Sequence, residues 1–236
     1  MEDLTRNTEV QELKRDLLSL DSNDENTRID LNKRLIKRYP FLEIKGWNES
    51  EHSDFSSTLL DCMPIGWRNT LGIPLCEELR EELIRIDPSL LNKYRVSQVK
   101  EKYGTLRWYA DSYSDRMEDI LTKYEDISQY TCVVCGRINV PIFDDGWISP
   151  FCIECYKSHR ERIWGNNLAD DEIESLITEE PNLTRDTIVE ISNSKGTVKR
   201  RIDFSDTLRV LGVNPDSLPT IEKILEARRE REEGQD

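Results

Sequence analysis

Apolar residues recur along the first forty positions at spacings of three and four, as Val10, Leu13, Leu17 and Leu18 and then Ile29, Leu35, Ile36 and Tyr39. That period predicts two amphipathic helices whose stripes seat on the rest of the protein. The polar run Asp21-Ser22-Asn23-Asp24-Glu25-Asn26 separates them, and Pro40 stops the second. Farther on, Pro64-Ile65-Gly66-Trp67 marks a loop ahead of a helix with Leu75, Leu79, Leu83 and Ile86 on one face, ended by Asp87-Pro88. Tyr94 to Lys100 and Thr105 to Tyr109 alternate as two strands around a turn at Glu101 to Gly104, and a helix over 115–127 follows. Thr187 to Ser192 and Thr197 to Phe204 read as a second hairpin, joined at Asn193-Ser194-Lys195-Gly196. A short helix ending at Gly212 and a last helix opened by Ser217 and Pro219, with a solvated Arg/Glu tip, complete the pattern.

Aromatic content divides this string of elements. Of 18 Phe, Trp and Tyr residues, 17 lie between Tyr39 and Trp164, together with all six cysteines. Aromatic side chains bury the most area per residue, so the principal core belongs there. The resulting expectation is an α+β protein with a helical N-terminal segment (1–38), an aromatic-rich α+β module (39–130), a four-cysteine zinc-ribbon lobe (131–165) and a small acidic α+β C-terminal domain (166–236).

Charge sharpens the last boundary. The chain carries a net charge of −14, and charged residues make up 34% of it, against roughly 25% in an average protein. Residues 165–190 hold eight acids against Arg185 alone, which is half of the excess. Such a balance disfavours a general polyanion binder. No apolar run approaches the roughly 18 residues of a membrane span, and the first 30 residues carry nine acids without an apolar signal core. A cytoplasmic protein with no membrane partner is expected.

The cysteines carry the most specific chemistry. Cys132-Val133-Val134-Cys135 and Cys152-Ile153-Glu154-Cys155 are separated by sixteen residues, the spacing of a tetrathiolate zinc site. A two-residue gap forms a tight knuckle that lets both sulfurs reach one ion while backbone amides point at the thiolates. Gly136 stands where such a knuckle needs a left-handed residue, and Asp144-Asp145-Gly146 supplies the turn of a hairpin folding the pairs together. Disulfides and a redox pair are the competing readings; the first asks for an oxidising compartment and the second for a neighbouring βαβ unit. Four thiolates leave no open coordination position, so the expected cofactor is one structural Zn2+. Cys62 and Cys76 stand in apolar contexts and read as buried thiols.

Three function classes follow. No nucleotide-binding loop, zinc-protease motif or serine-hydrolase elbow occurs, and His52 and His159 are the only histidines, so the chain is read as non-enzymatic. Nucleic-acid binding is the runner-up, carried by Lys93, Arg95, Lys100, Lys102, Arg107 and Trp108, where bases and rings interleave on a hairpin. A second basic run, Lys199-Arg200-Arg201, lies near the C-terminus. The leading class is a protein–protein module, because acidic surface speeds docking onto a basic partner.

Leu59 to Trp67 with its P-x-G-W, Val99-Lys100-Glu101-Lys102-Tyr103-Gly104-Thr105-Leu106-Arg107-Trp108-Tyr109, and the two cysteine pairs occur in an order that resembles a loosely defined group of uncharacterised phage- and prophage-encoded proteins. The resemblance covers about residues 39–156 and brings no activity with it. It implies an accessory protein acting in the host cytoplasm on a host factor, for instance a defence system, with the C-terminal 70 residues outside the pattern.

Overall fold

In the computed structural model, which describes residues 8–20, 24–44, 54–165, 168–193 and 196–233, the N-terminal stripes fold as α1 (Thr8–Leu18) and α2 (Glu25–Arg38). Residues 21–23 of the separating run, His52, and positions 194 and 195 of the second hairpin turn lie outside the described residues. The Asp24 carboxylate caps α2, accepting from the Thr27 amide at 3.2 Å, which satisfies one donor that a helix start leaves open. Leu13, Leu17, Leu31 and Leu35 are buried in the same cluster as the rest of the core.

Pro64-Ile65-Gly66-Trp67 departs from the expected loop. Ile65–Trp67 is already a helical turn and runs through a widened turn at Arg68–Gly72 into α3 (Ile73–Ile86). Pro74 explains the widening, since it lacks the amide that would bind the carbonyl one α-turn earlier. After α3, β1 (Val96–Lys102) and β2 (Thr105–Ala110) pair antiparallel with Val99 opposite Trp108 and Lys100 opposite Arg107. Their turn is tighter than expected, because Tyr103 (φ 53°) and Gly104 (φ 73°) both take left-handed backbone, as a two-residue hairpin turn requires. Ser114 caps α4 (Asp115–Ser128) by accepting from the Met117 amide at 3.2 Å. One cluster joins α1–α4 and the buried face of this hairpin, with Trp67, Tyr39, Tyr94 and Tyr124 at its centre.

A second, smaller cluster begins at the cysteines. β3 (Ile142–Asp144) and β4 (Ile148–Pro150) form the hairpin between the pairs, α5 (Ile153–Trp164) starts on the second pair, and α6 (Asp170–Ser175) leads to β5 (Ile177–Glu179). β5 pairs with β3, giving the sheet order β4-β3-β5. Residues 168–179, grouped by composition with the C-terminal part, therefore fold with the cysteine lobe, where Ile173, Leu176 and Ile177 close its core. The remaining chain forms β6 (Asp186–Asn193), β7 (Gly196–Asp203), α7 (Ser205–Val210) and α8 (Ile221–Glu233). Leu183, Ile202, Phe204 and Leu208 bury in the main cluster. The architecture is α+β, and no helix among the described residues is long and apolar enough to cross a membrane.

Candidate metal centre

Cys132 and Cys135 sit on a knuckle, and Cys152 and Cys155 on the first turn of a helix, so the lobe reads knuckle, hairpin, helix rather than two matching knuckles. The knuckle is held by its own backbone: the Cys132 amide donates to Arg137 O at 2.8 Å, and the Gly136 amide to Cys132 O at 3.0 Å. Gly136 takes φ 76°, the left-handed conformation that lets the chain reverse without a Cβ clash. The hairpin turn rests on Asp144, whose Oδ1 accepts from the Gly146 amide at 3.0 Å. The Val133 amide donates to Pro150 O at 3.0 Å, which carries β4 and the second pair back onto the knuckle.

These constraints bring all four sulfurs within 4.8 Å of one another, with Cys135 Sγ and Cys152 Sγ 3.7 Å apart. Thiolates about 2.3 Å from a central ion stand about 3.8 Å from each other in a tetrahedron. The group can therefore hold one metal ion with little rearrangement. Cys132 and Cys152 are buried, Cys155 is half-buried, Cys135 is exposed, and none is in a disulfide. Burial pushes the Cys155 thiol up to about 11 and raises Cys152 as well. Burial also acts on Cys135, yet the Arg137 amide and the neighbouring thiols bring it below its ordinary value. The Cys155 amide likewise points at Cys152. Because four crowded thiols resist joint ionisation, a cation is what makes four thiolates compatible here. Arg137 pairs with Glu154 at 2.9 Å beside the sulfurs, and Cys152 stands at the residue before the first turn of α5, where the positive helix end favours a thiolate.

The lobe is tied to the main body at a motif whose chemistry the sequence did not reveal. The Gly66 amide donates to Val133 O at 2.9 Å, Trp67 Nε1 donates to Thr131 O at 2.6 Å, and Thr70 Oγ1 donates to Gly136 O at 3.2 Å. A Cβ on Gly66 would stand 2.2 Å from Cys132 O. The P-x-G-W segment thus cradles the first knuckle. Gly104, at the tip of the first hairpin, lies against Ile148 and Pro150 of β4, where a Cβ would find atoms at 3.4 and 3.5 Å. Asn139 (φ 60°) accepts from the Leu183 amide at 3.2 Å and ties the lobe to the C-terminal part. The P-x-G-W and K-E-K-Y-G segments stand out in the sequence, but only their contacts with the lobe show what they do.

The basic hairpin residues separate. Lys93 reaches Ser89 Oγ at 3.2 Å, Arg95 binds the carbonyls of Asn92 and Tyr94, and Arg107 pairs with Glu125 at 2.7 Å. Lys100 lies over Tyr109 and Lys102 over Tyr103. Trp108 points inward, 5% exposed and edge-on to Phe41, so it presents no face on which a base could stack. Arg200 and Arg201 are engaged with acids, Arg200 with Asp115 and Asp119 and Arg201 with Asp186. His159 packs beside Phe151 on α5. Cys76 is buried as expected, whereas Cys62 is exposed, because it closes a short 3-10 turn at the surface. No family model, no curated protein and no solved structure matches this chain.

Proposed function

We propose that the chain is a non-enzymatic zinc-binding interaction protein, in which one structural Zn2+ on Cys132, Cys135, Cys152 and Cys155 staples the lobe and the assembled surface binds a protein partner. The observation that carries this reading is the closure of four sulfurs to within 4.8 Å. Four thiolates complete a tetrahedron and leave no position for a catalytic water. The lobe core consists of few side chains, Val140, Phe143, Phe151, Tyr156 and Ile173 beside two cysteines, too small a core for independent stability without a staple. The resemblance over about residues 39–156 favours a phage or prophage origin, and with it a host factor such as a defence component as the partner. Arg107 paired to Glu125 and Trp108 buried weigh for protein over nucleic acid.

Two measurements test this. Elemental analysis of the purified chain should find one zinc per molecule, lost in Cys132→Ser with Cys152→Ser; a chain without metal, or a double variant that keeps it, overturns the zinc assignment. A pull-down from host lysate with and without nuclease should retain its protein partner in both arms; capture that vanishes with nuclease transfers the function to nucleic-acid binding.

A further inference from the structure

Two depressions, of about 370 and 520 Å³, adjoin one another and share Glu101 and Trp147 as walls. Their lining brings together Pro64 of the P-x-G-W segment, Val133 and Val134 between the first two metal ligands, Tyr103 at the β1–β2 turn, and Ser149 of β4. Each of these elements has another partner, yet the cleft they frame exposes two large rings, Trp147 at 68% and Tyr103 at 72%. Rings that face one cleft together, rather than standing singly on the surface, mark a candidate contact surface.

Tyr103 adds a second observation. It holds φ 53° in a turn where Asn or Gly is the favoured residue. Its ring buries little in the chain itself, so its presence there does not follow from folding.

The chemistry of the cleft selects its occupant. Glu101 commits Oε1 to the Gly104 amide at 2.6 Å and Asp144 commits Oδ1 to the Gly146 amide at 3.0 Å. Each keeps its second oxygen. The rings present negative faces, which attract a cation within about 6 Å of the centroid. Lys102 shows the geometry at work, its ammonium 5.4 Å from the Tyr103 ring. Among the described residues no cation is seated on Trp147. Two cations also line the cleft, Lys102 and Arg162, but Lys102 lies over Tyr103 and Arg162 reaches His159, and among the described residues neither pairs with Glu101 or Asp144. A basic side chain therefore finds the open Trp147 ring and two carboxylate oxygens.

We propose that this cleft is the partner-binding site and that it takes a basic side chain, Arg or Lys, from an extended peptide segment of the partner protein. The inference rests on the reading of the chain as a partner-binding protein and names what that partner must carry. The chain's net charge of −14 brings a basic segment in quickly, and the cleft provides the seat.

The test uses the full chain and a fluorescein-labelled Gly/Ser decapeptide with three arginines, followed by anisotropy. Trp147→Ala, and Glu101→Gln with Asp144→Asn, should each weaken binding about tenfold, the effect of losing a cation–π contact or its carboxylates. Both amides can still accept the turn N–H groups, which keeps the fold. Asp171→Asn with Glu174→Gln removes two exposed charges outside the cleft and should leave affinity within about twofold. Cleft variants that bind as tightly as the parent, a control that loses as much as they do, or a parent chain that ignores the peptide would overturn the proposal. Zinc content measured in every sample separates failure of the cleft from failure of the metal centre.

Discussion

Gly66 lies in van der Waals collision range of the first cysteine knuckle: a methyl on its Cα would stand 2.2 Å from Cys132 O, 2.6 Å from Gly136 N and 2.9 Å from Val133 C. Every one of those atoms is backbone, so no rotamer can move aside. Gly66→Ala is therefore expected to destabilise the protein by about 3 kcal/mol, at the upper end for overpacking, and to loosen metal retention. Gly136→Ala combines a 2.0 Å approach to Thr70 Oγ1 with φ 76° and should be at least as damaging. Gly146→Ala meets nothing within 4 Å at φ 99°, leaving only backbone strain of about 1–2 kcal/mol. Urea unfolding of the three variants, with zinc content read alongside, checks the order; equal effects at all three positions would refute it.

Metal removal should uncouple the two cores. The main cluster of α1–α4 contains none of the four ligands, while Cys132 and Cys152 stand in the lobe cluster. Chelation at neutral pH is expected to abolish amide protection over 132–165 and 168–179 while protection in α1–α4 persists. The Gly66 amide, bonded to Val133 O, should exchange with the lobe and not with the helices around it. Hydrogen exchange with and without chelator measures this; uniform loss across the chain would show that the staple holds the whole fold.

Glu78 joins three elements from α3. Its carboxylate accepts from Lys123 and Tyr124 of α4, the latter at 2.9 Å, and from Thr207 Oγ1 of α7 at 2.8 Å. Burial lowers the Lys123 pKa despite Glu78, so the ammonium depends on this partner. Glu78→Ala strands a buried cation and two hydroxyls and should cost about 3–5 kcal/mol. Lys123→Met, which removes the charge in a similar volume, should cost about 1–2 kcal/mol less. Denaturant midpoints of the two variants decide the ranking.

Glu82 provides the pH dependence. Hydrogen bonds from Arg85 (Nε and Nη2, each 2.7 Å), which outweigh burial, and from Ser114 Oγ at 2.7 Å hold its carboxyl below the ordinary value. A carboxylate with a depressed folded pKa stabilises the fold fully above its unfolded value of about 4.3 and loses that contribution as pH falls through the folded value. Glu82→Gln should thus cost about 1–2 kcal/mol at neutral pH, unchanged down to about pH 5.5, with the gap closing below about pH 4. Parallel urea melts across this range test it; a gap that widens on acidification has the wrong sign.

Short-range pattern was enough for most of the secondary structure. The three- and four-residue periods set α1, α2, α3 and α4, alternation set both long hairpins, and the paired C-x-x-C spacing with Gly136 set the four-sulfur group, because each of these signals is written within a few neighbouring residues. The lead-in to α3 reads as a loop in the sequence, whereas the helical turn Ile65–Trp67 is held by a distant contact, the Gly66 amide on Val133 O. A strand shows two faces in sequence, and only the seat of Trp108 against Phe41 says which of them is inward.

Tertiary structure decided what those elements are for. It placed residues 168–179 in the lobe through the β3–β5 pairing, brought Gly66 under the cysteines, consumed Arg107 and Arg200 in ion pairs, and left Trp147 and Tyr103 facing one cleft. The physical reason is the same throughout. Period and spacing are properties of neighbouring residues, whereas a ligand shell, a close backbone approach and an uncovered ring are set by segments that meet only after the chain has folded.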